Sequence, residues 1–238
     1  MKNLNIEINT TFKVNRLLRK YGIEAKLKDI ETLSKIINNS IKFNQGLYNI
    51  GTINDVSLAT TVEDLIDIYI LRSRVYTEIN YTKEFPEVIK GLNFDEYDEH
   101  SAILYSKRGN KITGTCRLIF DLPNKKLPID KNFSLDYLRN KDRILGEASR
   151  VIIQNRKGLK QEFKLLTIDS YKILNSYQMD VVSVMTQEHI KLYKNFGGLT
   201  IEKKFQNYGT LQKEFFLTLW QTSKISPYFK RIFLKNVA

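Results

Sequence analysis

Apolar residues recur at two different periods along the chain, and the change of period divides it. Leu27, Ile30, Leu33, Ile37 and Ile41 lie three or four positions apart, the spacing of one face of a helix. Thr10, Thr11 and Gly46 read as punctuation in this helical stretch. From Gly51 the period shortens. Ile53 to Thr60 alternates like a short strand, and Val62 to Ile79 returns to helical spacing through Leu65, Ile68, Tyr69, Val75, Tyr76 and Ile79. Residues 1–50 therefore read as a helical N-terminal extension, and 51–238 as one domain in which strand gives way to helix.

A charged loop containing Pro86 follows, then two alternating segments, Ser101–Lys107 and Lys111–Phe120. They are joined through Arg108-Gly109-Asn110, and Gly-Asn between alternating runs is a hairpin signal. A polar insert, Asp121–Lys141, leads to a strand at Ile144–Ile153 and a helix at Leu159–Tyr177, with Leu159, Phe163, Leu166, Ile173 and Tyr177 on its core face. A strand at Asp180–Met185, a helix at Thr186–Phe196 and one or two strands toward Trp220 complete the order. This succession predicts an α/β (α+β) fold, a mixed central sheet flanked by helices on both faces. No internal repeat is visible.

Arg72 breaks the pattern. It sits in the middle of the apolar stripe of its helix, where an unpaired buried charge would cost several kcal/mol. Either its stem packs while its head reaches water, or it is buried against partners. Arg74, two positions on, faces elsewhere and reads as solvated. Asp95, Asp98, Arg117, Glu147 and Arg150 occupy comparable positions, and mutually paired clusters of this kind mark active sites.

Composition changes the picture only at its edges. The 238 residues, 42% of them apolar, suffice for one substantial core without staples. A single cysteine, Cys116, forms no internal disulfide and reads as a core filler on the apolar face it shares with Ile112, Gly114 and Leu118. The N-terminal MKNLNIEINTT lacks a signal peptide's apolar stretch, and no apolar run approaches the roughly 18 residues of a membrane span, so a soluble, cytoplasmic protein is expected. The net charge of +12 points to an acidic partner. Basic residues are scattered, with no dense run and no zinc-finger spacing, which disfavours nucleic acid.

Four short pieces carry a resemblance: Leu71–Tyr76 (LRSRVY), Phe94–Asp98 (FDEYD), Gly114–Leu118 (GTCRL) and Gly146–Val151 (GEASRV). In this order and spacing they resemble the GNAT acyltransferase fold and, more narrowly, the acyl-homoserine-lactone synthases (autoinducer synthases) and related N-acyl amino acid synthases, over roughly residues 55–208. Leu192–Gly198 (LYKNFGG) resembles the last helix of GNAT folds. The resemblance puts Arg72, Asp95, Asp98, Arg117, Glu147 and Arg150 on the family's charged positions. Tyr76, Tyr81 and Asn93 stand where the lactone synthases usually have Phe, Trp and Glu, at the end of the cleft that takes S-adenosylmethionine.

The resemblance implies attack of an amine on an acyl thioester, with Glu147, Arg117 and Arg150 as catalytic candidates and Arg72, Tyr76, Tyr81, Asp95 and Asp98 shaping the acceptor pocket. A protonated amine needs a base, and Glu147 serves as base, as the salt-bridge partner of an arginine, or as both. Glu147 and Arg150 have opposite parity in a regular strand, so a bulge near Ala148–Ile152 is expected to bring them to one site and to turn backbone amides toward the acyl carbonyl. Asn155–Lys160, with Arg156, Lys157, Gly158 and Lys160, reads either as a degenerate phosphate loop for a phosphopantetheine arm or as an ordinary helix start. Val151 and Ile153, with Val182, Val184 and Met185, line an acyl tunnel or simply fill the core. With arginines at hand, Asp95 and Asp98 are expected in salt bridges rather than on a metal, and His100 and His189 in packing or at the surface. No tightly bound cofactor is expected. The co-substrate is an acyl-phosphopantetheine thioester, on an acidic acyl carrier protein or on coenzyme A, and the acceptor an amino acid or related small amine. A lactone synthase using S-adenosylmethionine, and a non-catalytic basic binding module on the same fold, are the alternatives.

Overall fold

The structure, a computed structural model, describes residues 2–47, 56–139, 142–154 and 159–235. Helix α1, Lys2–Lys20, runs straight through Thr10 and Thr11, and α2, Leu27–Leu47, contains Gly46. The break lies instead at Gly22, whose φ of +65° lets Ile23 N–H reach back to Leu18 O (2.9 Å) and Gly22 N–H to Arg19 O (3.1 Å), a Schellman stop. Leu27, expected on the buried stripe, is 69% exposed because it opens α2 before the helix meets the core.

Among the described residues seven strands form one sheet in the order β1-β2-β3-β4-β5-β7-β6. They are β1 Val56–Leu58, β2 Ser101–Arg108, β3 Lys111–Phe120, β4 Ile144–Ile153, β5 Met179–Met185, β6 Leu199–Tyr208 and β7 Leu211–Trp220. The first strand was expected over Ile53–Thr60; it ends at Leu58, because Thr61 already caps α3 (Val62–Glu78) by accepting from Asp64 N–H, and Ile53 to Asp55 lie outside the described residues. Beyond this short edge strand, Asn44 of α2 takes over the pairing of β2: its Nδ2 donates to Ser101 O (3.0 Å) and its Oδ1 accepts from Ile103 N–H (2.9 Å).

One sheet face packs against α1, α2 and α3 through Leu33, Ile37, Leu65, Ile68, Tyr69, Ile103 and Ile152. The other packs against α5 (Leu159–Ser176) through Leu104, Cys116, Leu118, Leu166, Ile173 and Leu174. Each fully buried Leu or Ile contributes roughly 1.5–3 kcal/mol. Ile112 does not share the face of Cys116 as its alternation suggests. It belongs with Ile103 and Tyr105, since the register between β2 and β3 slips across Ser106 and Lys107 and reverses the parity. The insert folds back as a strap carrying a 3-10 turn, Pro128–Lys131, and a short helix α4, Asp136–Arg139. Its Leu127, Ile129, Leu135 and Leu138 pack on Ile119, Leu145 and Leu217.

Strands β4 and β5 run parallel, paired from Ile144↔Met179 to Glu147↔Val182, and then part. β4 continues to Ile153 beside β3, while Ser183–Met185 continue beside β7. The sheet thus opens just past Glu147, and this splay, with helices on both faces, makes the fold GNAT-like. After β5 come α6 (Gln187–Tyr193) and a 3-10 turn, Lys194–Phe196, where one continuous helix was expected.

Candidate active site

The bulge in β4 is present. Thr115 and Arg117 of β3 face Ile152 and Ser149, so Arg150 and Val151 together oppose one residue, Cys116. Arg150 takes a φ of +55°, a conformation that non-glycine residues adopt at a cost and that surrounding contacts must hold. Those contacts are strong. The Arg150 guanidinium lies 4.0 Å from the ring centre of Phe85 and 5.2 Å from that of Tyr76, and its Nη2 donates to Asp95 Oδ2 at 2.9 Å.

Asp95 and Asp98 cap the 3-10 turn Glu96–His100: Asp95 Oδ1 accepts from Tyr97 N–H (3.0 Å) and Asp98 Oδ2 from Asp95 N–H (3.1 Å). Their remaining lone pairs go to arginines. Arg72 Nη1 donates to Asp98 Oδ1 at 2.9 Å, and Arg117 Nη1 reaches Asp98 Oδ1 at 3.2 Å and Asp95 Oδ1 at 2.5 Å. Both side chains of the Arg72–Asp98 pair are 0% exposed, so Arg72 is buried against partners and does not snorkel. Arg117 Nε donates to Ser149 Oγ (3.0 Å), linking the cluster to β4. Burial alone would raise the Asp95 carboxyl, but the charges of Arg117 and Arg150 outweigh it and hold the group well below the usual carboxylate range.

Glu147 stands where the sheet opens. Its Oε2 accepts from Ile129 N–H at 3.0 Å. Burial pushes its carboxyl up to about 7, against that amide and the charges of Arg117 and Arg150, which favour the ionised form. Three arginines and two aspartates leave one surplus positive charge, which an ionised Glu147 balances. Among the described residues the buried donors Arg150 Nη1, Arg72 Nε and Arg72 Nη2 have no hydrogen-bond partner, nor has the Tyr69 hydroxyl, whose ring centre lies 5.5 Å from the Arg72 guanidinium. The arrangement offers a carboxyl that changes state near neutrality beside a set of fixed donors, the requirement for moving a proton next to an anionic or carbonyl group.

A family model described as N-acyl amino acid synthase FeeM matches residues 67–219, well over half of the chain. The chain belongs to the FeeM family of N-acyl amino acid synthases. It is an acyltransferase. Among solved structures this FeeM-family chain is similar to FeeM, an N-acyl amino acid synthase from uncultured soil microbes, at 15% identity and a TM-score of 0.56 over 77% of this chain and 96% of that one. It is also similar to the AHL synthase LasI, at 17% identity and 0.54 over the same shares. The CoA-dependent acyl-homoserine lactone synthase BjaI, solved with SAM and isopentyl-CoA, matches at 16% identity and 0.53 over 82% of this chain and 88% of that one. These likenesses are in fold. No curated protein sequence matches.

In this FeeM-family enzyme six of the sequence candidates, Arg72, Asp95, Asp98, Arg117, Glu147 and Arg150, converge on one site, with Tyr76 stacked beside Arg150. Tyr81 does not join the ion pairs; its side chain packs on the α3 side of the core, and its carbonyl accepts from Phe85 N–H (3.1 Å) in the turn that presents Phe85. On the splayed stretch of β4, Val151 is 45% exposed, whereas Ile153 packs toward α5. Val182 is core and not exposed lining, since it still pairs with Glu147 before the strands part. Lys160 is exposed in the first turn of α5; Arg156, Lys157 and Gly158 lie outside the described residues. Tyr193 is wedged between Phe163 and Phe196, and burial raises its phenol far above the ordinary range. His100 is buried.

Sequence reasoning missed four contributors. Ser149 shares the parity of Glu147 and could have been found from it. Phe85, just before Pro86, had only its aromatic character as a signal. The Ile129 amide had none. Nor had the β6–β7 hairpin tip, where Glu84 Oε1 accepts from Thr210 N–H (2.9 Å) and from the Thr210 hydroxyl, anchoring the tip to the Tyr81–Phe85 turn. That anchor brings Tyr208 within electrostatic reach of Glu147 and Arg150.

Proposed function

We propose that this acyltransferase moves a fatty acyl group from a carrier-protein thioester to the amine of an amino acid or a related small amine. The observation that carries this reading is the position of Glu147, a carboxyl that titrates near neutrality at the point where β4 and β5 separate. The acyl thioester enters the splay. Its carbonyl is met by β4 amides that no longer pair with β5, and developing negative charge on that oxygen is held by these fixed donors. The acceptor lies on the arginine side, its carboxylate taken by the Arg150 and Arg72 donors that have no partner among the described residues, and its ammonium gives a proton to Glu147, directly or through water. Nitrogen attacks the carbonyl carbon, the carbon–sulfur bond breaks, and the thiol leaves with a proton.

The carrier protein is favoured over coenzyme A by the +12 charge, which suits an acidic partner, and by the single glycine in Asn155–Lys160. Residues 1–50 are an extension on a catalytic domain of residues 51–238, and in this reading α2 buttresses the acidic turn through Asn44. The test is incubation with a long-chain acyl carrier protein, the amino acid pool and S-adenosylmethionine, products being identified by mass spectrometry, with Glu147→Ala as control. An acyl amino acid lost in the variant is the expected result. A lactone with release of methylthioadenosine would move the chain to the lactone synthases. No product from this donor or from acyl-coenzyme A would point to a binding module.

A further inference from the structure

The Ile129 amide reaches Glu147 because the Pro128–Lys131 turn is held against the sheet, by the apolar packing of Leu127, Ile129, Leu135 and Leu138 and by the ion pairs of one residue outside the arginine cluster. Asp130 organises the turn from within, its Oδ2 accepting from Leu127 N–H (3.0 Å) and its Oδ1 from Leu135 N–H (3.3 Å). Arg139 grips Asp130 from outside, with Nη1 to Oδ1 at 2.9 Å and Nη2 to Oδ2 at 2.5 Å. The same guanidinium binds Asp121 through Nε (2.7 Å) and Nη2 (3.1 Å), and its Nη1 also reaches Asp136 at 3.0 Å. Asp121 is fixed to the sheet, since its N–H donates to Leu145 O (3.0 Å) two residues before Glu147. The path from the sheet to the amide therefore runs Leu145, Asp121, Arg139, Asp130, Ile129.

We propose that Arg139 is a positioning residue of the active site: by clamping Asp130 to Asp121 it keeps the Ile129 N–H on Glu147 Oε2 and so biases that carboxyl toward its ionised form. Arg139 touches no reacting group. The charged and titratable groups that face Glu147 are Arg117 from β3, Arg150 from β4, Asp95 from the cap of the 3-10 turn and Tyr208 from β6; Arg139 pairs with none of them among the described residues. Loosening the clamp leaves those groups in place and removes one donor. An N–H favours the charged form of the carboxylate it binds, so its loss moves the Glu147 titration to higher pH, by about one unit for one charge-assisted bond.

The kinetic part of the test rests on the proton-acceptor reading of Glu147; the spectroscopic part does not. The intact enzyme, labelled with carbon-13 at glutamate side-chain carboxyls, is titrated by NMR, the Glu147 signal being assigned by its loss in Glu147→Gln. Arg139→Gln cuts the clamp at its centre, and Asp121→Asn weakens it from the sheet end with the Asp130 contacts intact. Replacing Ile129 by its α-hydroxy analogue turns the amide into an ester and deletes the N–H alone. All three are expected to raise the Glu147 midpoint, the ester by the full unit. Should the ester alone raise it, with Arg139→Gln and Asp121→Asn titrating as wild type at a lowered melting temperature, the clamp is merely structural and the proposal falls. Where Arg139→Gln does not fold, Asp121→Asn decides. A midpoint that rises while the acidic limb of kcat/KM stays put supports the clamp and sinks Glu147 as the proton acceptor.

Discussion

Glu147 is kept in a state that costs the fold. A carboxyl displaced from 4.5 to about 7 binds its proton more tightly when folded, so its contribution to stability is intact below pH 4.5 and declines until about pH 7. Glu147→Gln keeps an acceptor for Ile129 N–H and removes the charge. We expect it to abolish acyl transfer while raising stability at pH 8 by up to about 3 kcal/mol, with no gain at pH 4, as read by urea unfolding at the two pH values. The wild-type rate should fall below pH 7 with the ionised fraction of Glu147. Asp98 is the opposite case. Asp98→Asn leaves Arg72 fully buried without its counter-charge, and a loss of about 3–5 kcal/mol is expected by the same measurement; a loss under about 1 kcal/mol would mean that the negative charge of Asp95 suffices. Arg72 and its partners were legible in the sequence because a charge inside an apolar stripe demands a counter-charge. Ile129 was not, since a backbone amide carries no side-chain signature.

At the scale of elements, parity decided what could be read. The Glu147–Arg150 conflict exposed the β4 bulge, because both residues had to reach one face. The slip in the β2–β3 hairpin left no such conflict: Ile112 is apolar on either face, and nothing in its identity marks which. The N-terminal break was missed for a related reason. Thr10 and Thr11 resemble stop signals, but the stop needs a residue that tolerates positive φ, and Gly22 supplies it. The β6–β7 tip is a contact between elements distant in sequence, and Glu84 anchors it through two hydrogen bonds. Glu84→Ala should cost no more than about 1 kcal/mol of global stability, yet speed hydrogen exchange at the Thr210 amide and raise KM for the acceptor more than it lowers kcat. Unchanged exchange at Thr210 would show the tip to be held by the Phe205–Phe215 packing instead.

For the molecule as a whole, order of strands and helices followed from changes of hydrophobic period, whereas the packing of the strap and the extension depends on contacts that no period encodes. No helix among the described residues is long and apolar enough to cross a membrane. Acid sensitivity is a property of the ensemble of charges. Asp95 is depressed in the folded state, so the stability it lends is present above its unfolded value near 3.8 and is lost as pH falls further. Protonation of carboxylates also enlarges a charge that is already +12 at neutrality, adding self-repulsion. We expect cooperative unfolding below about pH 4, displaced to lower pH by added salt, which screens the repulsion and leaves the buried pairs little affected. Circular dichroism against pH at two ionic strengths checks this.

Cys116 lies between the sheet and α5, taking a hydrogen bond from Ser170, and burial pushes its thiol up to about 11. It is the chain's single cysteine. The folded protein should therefore ignore an aromatic disulfide reagent for as long as β3 and α5 stay together, and each molecule that opens should release one coloured thiolate. Nature has in effect fitted the enzyme with its own stopwatch: once reagent is in enough excess to trap every opening, the rate at which colour appears times the parting of α5 from the sheet, with no label to attach and no residue to change.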